Sequence, residues 1–215
     1  MNARRRNFES RLGAGVSIVL VLILMAFTPE RYRLLPAWLP VFVAGLLAAT
    51  LIFGASLGED PKWRRLERQL ILAVVAIAAI LNCANLVIVV RELVLTPSRV
   101  HAVQLLGTSV AIWIINLMCF SLIYWILDRG GPSARAHGEK VLPDFAFLQA
   151  ADGNLAPTGW QPVFVDYVFL AFTGALSPTD ASPLTPRAKL TMMAETLISL
   201  ITIAVVVARA ITIVQ

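Results

Sequence analysis

Glu195, Ser199, Thr202 and Arg209 recur, with Val206, at steps of four, three, four and three residues. That spacing puts them on one face of a helix. The helix that holds them, 187–214, is mainly apolar. A carboxyl group and two hydroxyls along one side of an apolar helix can attract and pass a cation, because ionisable residues at membrane depth face a bundle interior or a wet path. The same stripe has a plainer use, in which the hydroxyls bond their own backbone, Glu195 pairs with a nearby cation and Arg209 reaches toward the surface. A second polar group lies just ahead, in Ser177-Pro178-Thr179-Asp180. Around the axis of an assembly, Ser177, Thr179 and Asp180 would form a ring of acceptors, and acidic rings favour cations. As an ordinary turn they would satisfy orphan amides.

Other polar residues sit inside apolar runs. Asn82 and Asn85 are three apart and Asn116 lies in the next run. Bonds between helices are their expected use, worth about 1 kcal/mol each. Asp166 falls in the first turn of a short apolar helix, where the helix dipole favours a carboxylate. Trp113, Tyr124, Trp125 and Trp160 are expected to pack or to anchor at interfaces. No catalytic residue stands out. His101 and His137 are the only histidines and lie far apart, and no H-E-x-x-H pattern occurs. Cys83 and Cys119 lie in apolar runs and read as free buried thiols, so no metal site and no cofactor is expected. Enzyme activity is not expected.

The elements that must position these residues follow from composition. Of 215 residues 58% are hydrophobic and 14% charged, against about 25% charged in soluble domains. The apolar residues form long uncharged runs, the signature of membrane spans. The excess of cations, formally +5, sits at the ends of those runs. It therefore points to the lipid bilayer and not to nucleic acid. Expected spans cover 13–27, 37–57, 70–90 and 103–127, with a fifth over the final helix. The start, Arg4-Arg5-Arg6 before an apolar run, reads as a retained anchor, because Pro29 would sit just past any cut.

The run 162–176 would be about 21 Å long as a helix, too short for a core of about 30 Å. The expected fold is therefore an all-α membrane protein with five transmembrane helices plus a re-entrant, pore-type half-helix before the last span. Residues 1–101 form a three-span region. Residues 102–215 form a pore-like module of outer helix, loop 128–161, half-helix 162–176, turn 177–186 and inner helix 187–214. The loop is long for a connection and suits a lid or docking segment, with a short surface helix near 145–151. Thr185 reads as the N-cap of the inner helix, with Pro186 at its first position. With the N-terminus in the cytoplasm, thirteen Lys and Arg fall inside and four outside, the orientation the positive-inside rule favours. The expected location is a bacterial inner membrane.

The order of outer helix, loop, short helix, turn and inner helix resembles the pore module of potassium channels. Thr173 and Asp180 match the first and last residues of that family's T-V-G-Y-G-D motif. The two filter glycines are missing, and Pro178 locks φ near about −65°. The resemblance thus implies a pore-loop fold and not potassium selectivity. The stretches Leu127-Asp128-Arg129-Gly130-Gly131-Pro132, Pro143-Asp144-Phe145, Asp166 to Phe172, Ser177 to Asp180, Ala188-Lys189 and Ala208-Arg209-Ala210 resemble small, uncharacterised bacterial multi-spanning membrane proteins with a channel-like end. Together these readings lead to an oligomeric pore for a small inorganic cation. The alternative is a non-conducting scaffold that keeps a pore-like fold and works through loop 128–161.

Overall fold

The computed structural model describes residues 15–21, 23–25, 36, 38, 42, 45, 61–95, 102–136, 138–151, 160–176 and 181–214. Three long helices dominate: α1 (Pro61–Leu95), α2 (Ala102–Leu127) and, after the loop, α6 (Pro186–Val214). Between α2 and α6 come a 3-10 turn (Asp128–Gly130), α3 (Pro132–Ala136), β1 (Phe145–Ala146), α4 (Leu148–Ala151), α5 (Phe164–Leu176) and β2 (Ser182–Pro183).

Three helices are long and apolar enough to cross a membrane, over Arg68–Leu93, Gln104–Gly130 and Pro186–Ala208. They match the expected spans three, four and five. The first expected span, 13–27, corresponds to the shorter apolar helix Gly15–Met25. The second, 37–57, lies outside the described residues except at isolated positions. The expected polar link over 58–69 is helical from Pro61 onward. Proline suits a first helical position, and the Lys, Arg, Leu, Glu and Gln that follow are strong helix formers. At ~1.5 Å per residue α1 is about 52 Å long, so its first turns, with Lys62 and Arg65, extend beyond the span.

The core forms around α2, which packs against α1, α5 and α6. Arg68 bonds Ile126 and Asn82 bonds Ile112, so α1 runs antiparallel to α2. Trp125 stacks edge-on against Phe164, and Trp113 against Phe172. Hence α5 also runs antiparallel to α2. The same holds for α6, where Tyr124 meets Glu195 and Asn116 meets Ser199. Consecutive helices α5 and α6 therefore point the same way, each starting at the C-terminal end of α2. With 13 residues, α5 is about 20 Å long. It ends beside Thr196, whose hydroxyl donates to the Gly174 carbonyl. Ser182 pairs with Ala146, beside the end of α2 where Asp128 holds the Asp144 and Phe145 amides.

Both ends of this layout obey local rules. Thr185 caps α6: its Oγ1 accepts from the Ala188 amide at 3.4 Å, with Pro186 at the first helical position. Asp166 accepts from the Val163 amide at 2.7 Å, the return half of a capping box. The expected surface helix near 145–151 is confined to Leu148–Ala151. Phe145 and Ala146 instead pair with Pro183 and Ser182 in a two-stranded antiparallel bridge.

Candidate functional site

The buried polar residues form two groups. The first is a seam among α1, α2 and α6. Glu195, Ser199 and Thr202 are each 0% exposed and face α2, inside a single chain. Tyr124 on α2 donates its hydroxyl to Glu195 Oε2. One turn further along α6, Asn116 Nδ2 donates to Ser199 Oγ at 3.3 Å. Between these two contacts α2 steps back eight residues while α6 advances four, in keeping with antiparallel helices. Thr202 bonds the Ile198 carbonyl of its own helix at 2.8 Å. From α1, Asn82 Nδ2 reaches the Ile112 carbonyl at 2.9 Å. Asn85 is also buried in this region and is engaged within the chain.

Three acceptors in the seam have no donor among the described residues: Glu195 Oε1, Asn116 Oδ1 and Asn82 Oδ1. Buried acceptors are almost always satisfied, so each such group calls for a physical account, bound water or an ion among them. Cation-accepting oxygens at membrane depth are the chemistry this seam offers. Among the described residues no group of three His, Cys, Asp or Glu could hold a metal ion, and both cysteines are free.

The second group closes the end of α2 and locks the loop down. Asp128 is fully buried. Its Oδ1 accepts from the amides of Asp144 at 2.8 Å and Phe145 at 3.4 Å, and its Oδ2 from the Tyr167 hydroxyl at 2.7 Å. Asp144, also fully buried, takes both Nε and Nη2 of Arg187 at 2.7 Å and the Thr185 hydroxyl at 2.5 Å. Two arginines satisfy the last carbonyls of α2. Arg68 donates to Ile126 and Leu127 at 3.2 Å each, and Arg135 to Trp125 at 2.9 Å and Asp128 at 2.6 Å. Cations there also complement the negative end of the helix dipole. The Arg135 guanidinium lies 5.5 Å from the Tyr167 ring centre and 5.9 Å from that of Trp125. Burial pulls it below its ordinary value. Phe145 and Phe147 plug the loop onto Tyr124 and Tyr167.

Comparison with known proteins finds no matching family model, no matching curated protein and no matching solved structure. The case for function therefore rests on the residues themselves.

Of the expected site residues, the structure gathers Glu195, Ser199, Thr202, Asn116 and Asn82 along one seam. Ser177, Thr179 and Asp180 lie outside the described residues, as does the side chain of Arg209. Tyr124, expected to pack or anchor at an interface, is instead the buried donor to Glu195, and Trp125 is buried at 1% exposure and far from an interfacial role. Asp128, Asp144, Arg135 and Tyr167 were not expected as a unit. Their one signal was a carboxylate directly after a 26-residue apolar helix, followed by two glycines.

Those glycines are required by geometry. Gly131 has φ 95° and ψ 176°, a region essentially reserved for glycine, and a Cβ there would lie 3.0 Å from the Ile126 carbonyl. Gly131→Ala is expected to destabilise the protein by about 1–3 kcal/mol. Gly107→Ala, where a Cβ meets nothing within 4 Å inside α2, is expected to be neutral or stabilising by about 0.5–1 kcal/mol. Thermal unfolding of the two purified variants side by side checks both signs.

Proposed function

We propose that the protein is an ion-channel-like integral membrane protein that passes a small cation in an assembly of its own copies. In this reading α5 is a re-entrant half-helix and the 177–180 turn is the mouth of the path. The observation that carries the reading is the direction of α5. It starts at the same end of α2 as α6, runs parallel to α6, and stops near Thr196, about 15 Å into the last span. A half-helix ending at that depth directs the negative end of its dipole toward the membrane interior, which favours cations. Irregular backbone there requires shelter or a wet cavity. The seam supplies the intramembrane acceptors, with Glu195 as the charge-bearing group. The potassium-channel resemblance in element order supports the same reading, and the missing filter glycines assign it a different selectivity.

The outer face of α6 is apolar and exposed at Leu190, Met193, Leu197 and Leu200. That face is available to lipid or to further copies.

The test is cation flux into liposomes holding the purified protein, measured for protons, sodium and potassium at several voltages. Wild-type protein is expected to exceed empty vesicles, and Asp180→Ala to change the ratio of ions passed. Flux equal to that of empty vesicles for every ion overturns the reading. One observation favours a second reading, a non-conducting scaffold: Glu195, Ser199 and Thr202 have no exposure at all within one chain. The loop surface locked by Asp128 and Asp144 would then be the working face. In that case Asp180→Ala and Glu195→Ala alter stability alone.

A further inference from the structure

A cavity of about 260 Å³ lies between the start of α1 and the loop that follows α2. Its polar walls are Arg65, Arg68, Ser133 and Glu139, and its floor is Ile71 and Ile126. We propose that this cavity binds a phosphate-bearing anion at the membrane boundary, either the headgroup of an anionic phospholipid or a free phosphate.

Four observations lead there. First, position: two candidate spans end at the cavity, one at Arg68 and one at Gly130. That is the depth at which lipid phosphates lie, and basic pockets between helix ends are the usual headgroup sites. Second, charge: Arg65 and Arg68 are three residues apart on α1, hence on one face. Glu139 is the only acid among the described residues of the lining, and it is engaged within the chain. Third, readiness: Arg68 spends Nε and Nη2 on the Ile126 and Leu127 carbonyls, which fixes its guanidinium against the wall with donors to spare. Arg65 is exposed and has no hydrogen bond or ion pair among the described residues. A planar, oriented guanidinium beside a free one suits the paired oxygens of phosphate. Fourth, mixed walls: a cationic rim over an isoleucine floor matches a group that is anionic at one end and apolar at the other.

The site is separate from the seam and does not depend on conduction. Its wall also bears on the glycine pair. A Cβ on Gly131 would sit 3.5 Å from Arg68 Cδ, and one on Gly130 would sit 3.2 Å from Val141 Cγ2. A side chain at Gly130 would crowd Val141, whereas one at Gly131 would only touch Arg68.

The experiment uses the full chain in a neutral detergent. Thermal unfolding is followed while phosphatidylglycerol, phosphatidylcholine or inorganic phosphate is added, for wild type, Arg65→Gln and Arg65→Lys. Phosphatidylglycerol is expected to raise the apparent melting temperature of wild type, and phosphatidylcholine is not. Arg65→Gln should need tenfold or more phosphatidylglycerol for the same rise, the loss expected for a hydrogen bond to a charged group, with Arg65→Lys in between. If inorganic phosphate alone reproduces the rise, the ligand is a soluble anion; if only the lipid does, it is a headgroup. No rise with either probe, or an identical response of Arg65→Gln and wild type, overturns the proposal. Native mass spectrometry of wild type in mixed micelles is a check that needs no variant. Selective retention of phosphatidylglycerol is expected for a headgroup site, and equal retention of both lipids together with no rise on inorganic phosphate overturns the site.

Discussion

Asp128→Ala lowers the apparent melting temperature of the purified protein by on the order of 10 °C. The carboxylate is fully buried and holds three donors from two other parts of the chain: the amides of Asp144 and Phe145 and the hydroxyl of Tyr167. Removing one partner of a buried network leaves the others without acceptors. Each unsatisfied group costs about 1–3 kcal/mol. The three are coupled, so about 3–5 kcal/mol in total is expected, not their sum. The damage spreads along named contacts. Phe145 leaves its place against Tyr124, where the ring centres are 5.1 Å apart. The β1–β2 bridge loses the strand that Asp128 positions. Asp144 then moves away from Arg187. Asp128→Asn is the control. Its oxygen still accepts from the two amides, while its Nδ2 faces a Tyr167 hydroxyl that can turn to accept. It should recover more than half of the lost stability. A melting temperature for Asp128→Ala within 2–3 °C of wild type, an amount about 1 kcal/mol would produce, contradicts the network argument.

That network also shows what could be read from the chain alone. The short helix α5 was legible because apolar residues stop at Leu176 and a Ser-Pro step follows. The start of α6 was legible because Thr-Pro is a local signal whose partner, the Ala188 amide, lies three residues away. The polar stripe was legible because helical period is a local property. The partners were not. Tyr124 and Glu195 are 71 residues apart, and Asp144 and Arg187 are 43 apart. No spacing rule links such pairs; they meet because α2, α5 and α6 pack in a particular order. The β1–β2 bridge involves two residues per strand, too few for alternation to register. The anchor of loop 128–161 is a buried carboxylate holding backbone amides, which leaves no pattern in side-chain type. Orientation has a partial structural counterpart. Arg65, Arg68, Arg129, Arg135, Lys140, Arg187 and Lys189 gather at the end of the bundle where α2 finishes and α1 and α6 begin. This is the clustering that the positive-inside count anticipates for one membrane face.

Glu195→Gln is expected to cut cation flux at least tenfold while leaving the fold intact. The two effects separate because the carboxyl group has two jobs on two atoms. Oε2 accepts from Tyr124, and a glutamine oxygen does that equally well. Oε1 has no donor among the described residues and is the atom free to meet a cation. Glutamine cannot ionise there, and a neutral amide at membrane depth offers a cation far less. Stability should therefore change by no more than about 1 kcal/mol. Tyr124→Phe has the opposite signature. It strips the buried carboxyl group of its donor and costs about 1–3 kcal/mol, with Glu195 itself still present. Combining Tyr124→Phe with Glu195→Leu replaces the polar pair by apolar groups. It should cost less than the two single changes added together, by about 0.5–3 kcal/mol of coupling. The double variant would then fold well and conduct nothing. A stable Glu195→Gln protein with undiminished flux would show that cations do not use the seam. The path would then have to run along the exposed face of α6, between copies of the chain, and Glu195 would be a structural partner of Tyr124 alone.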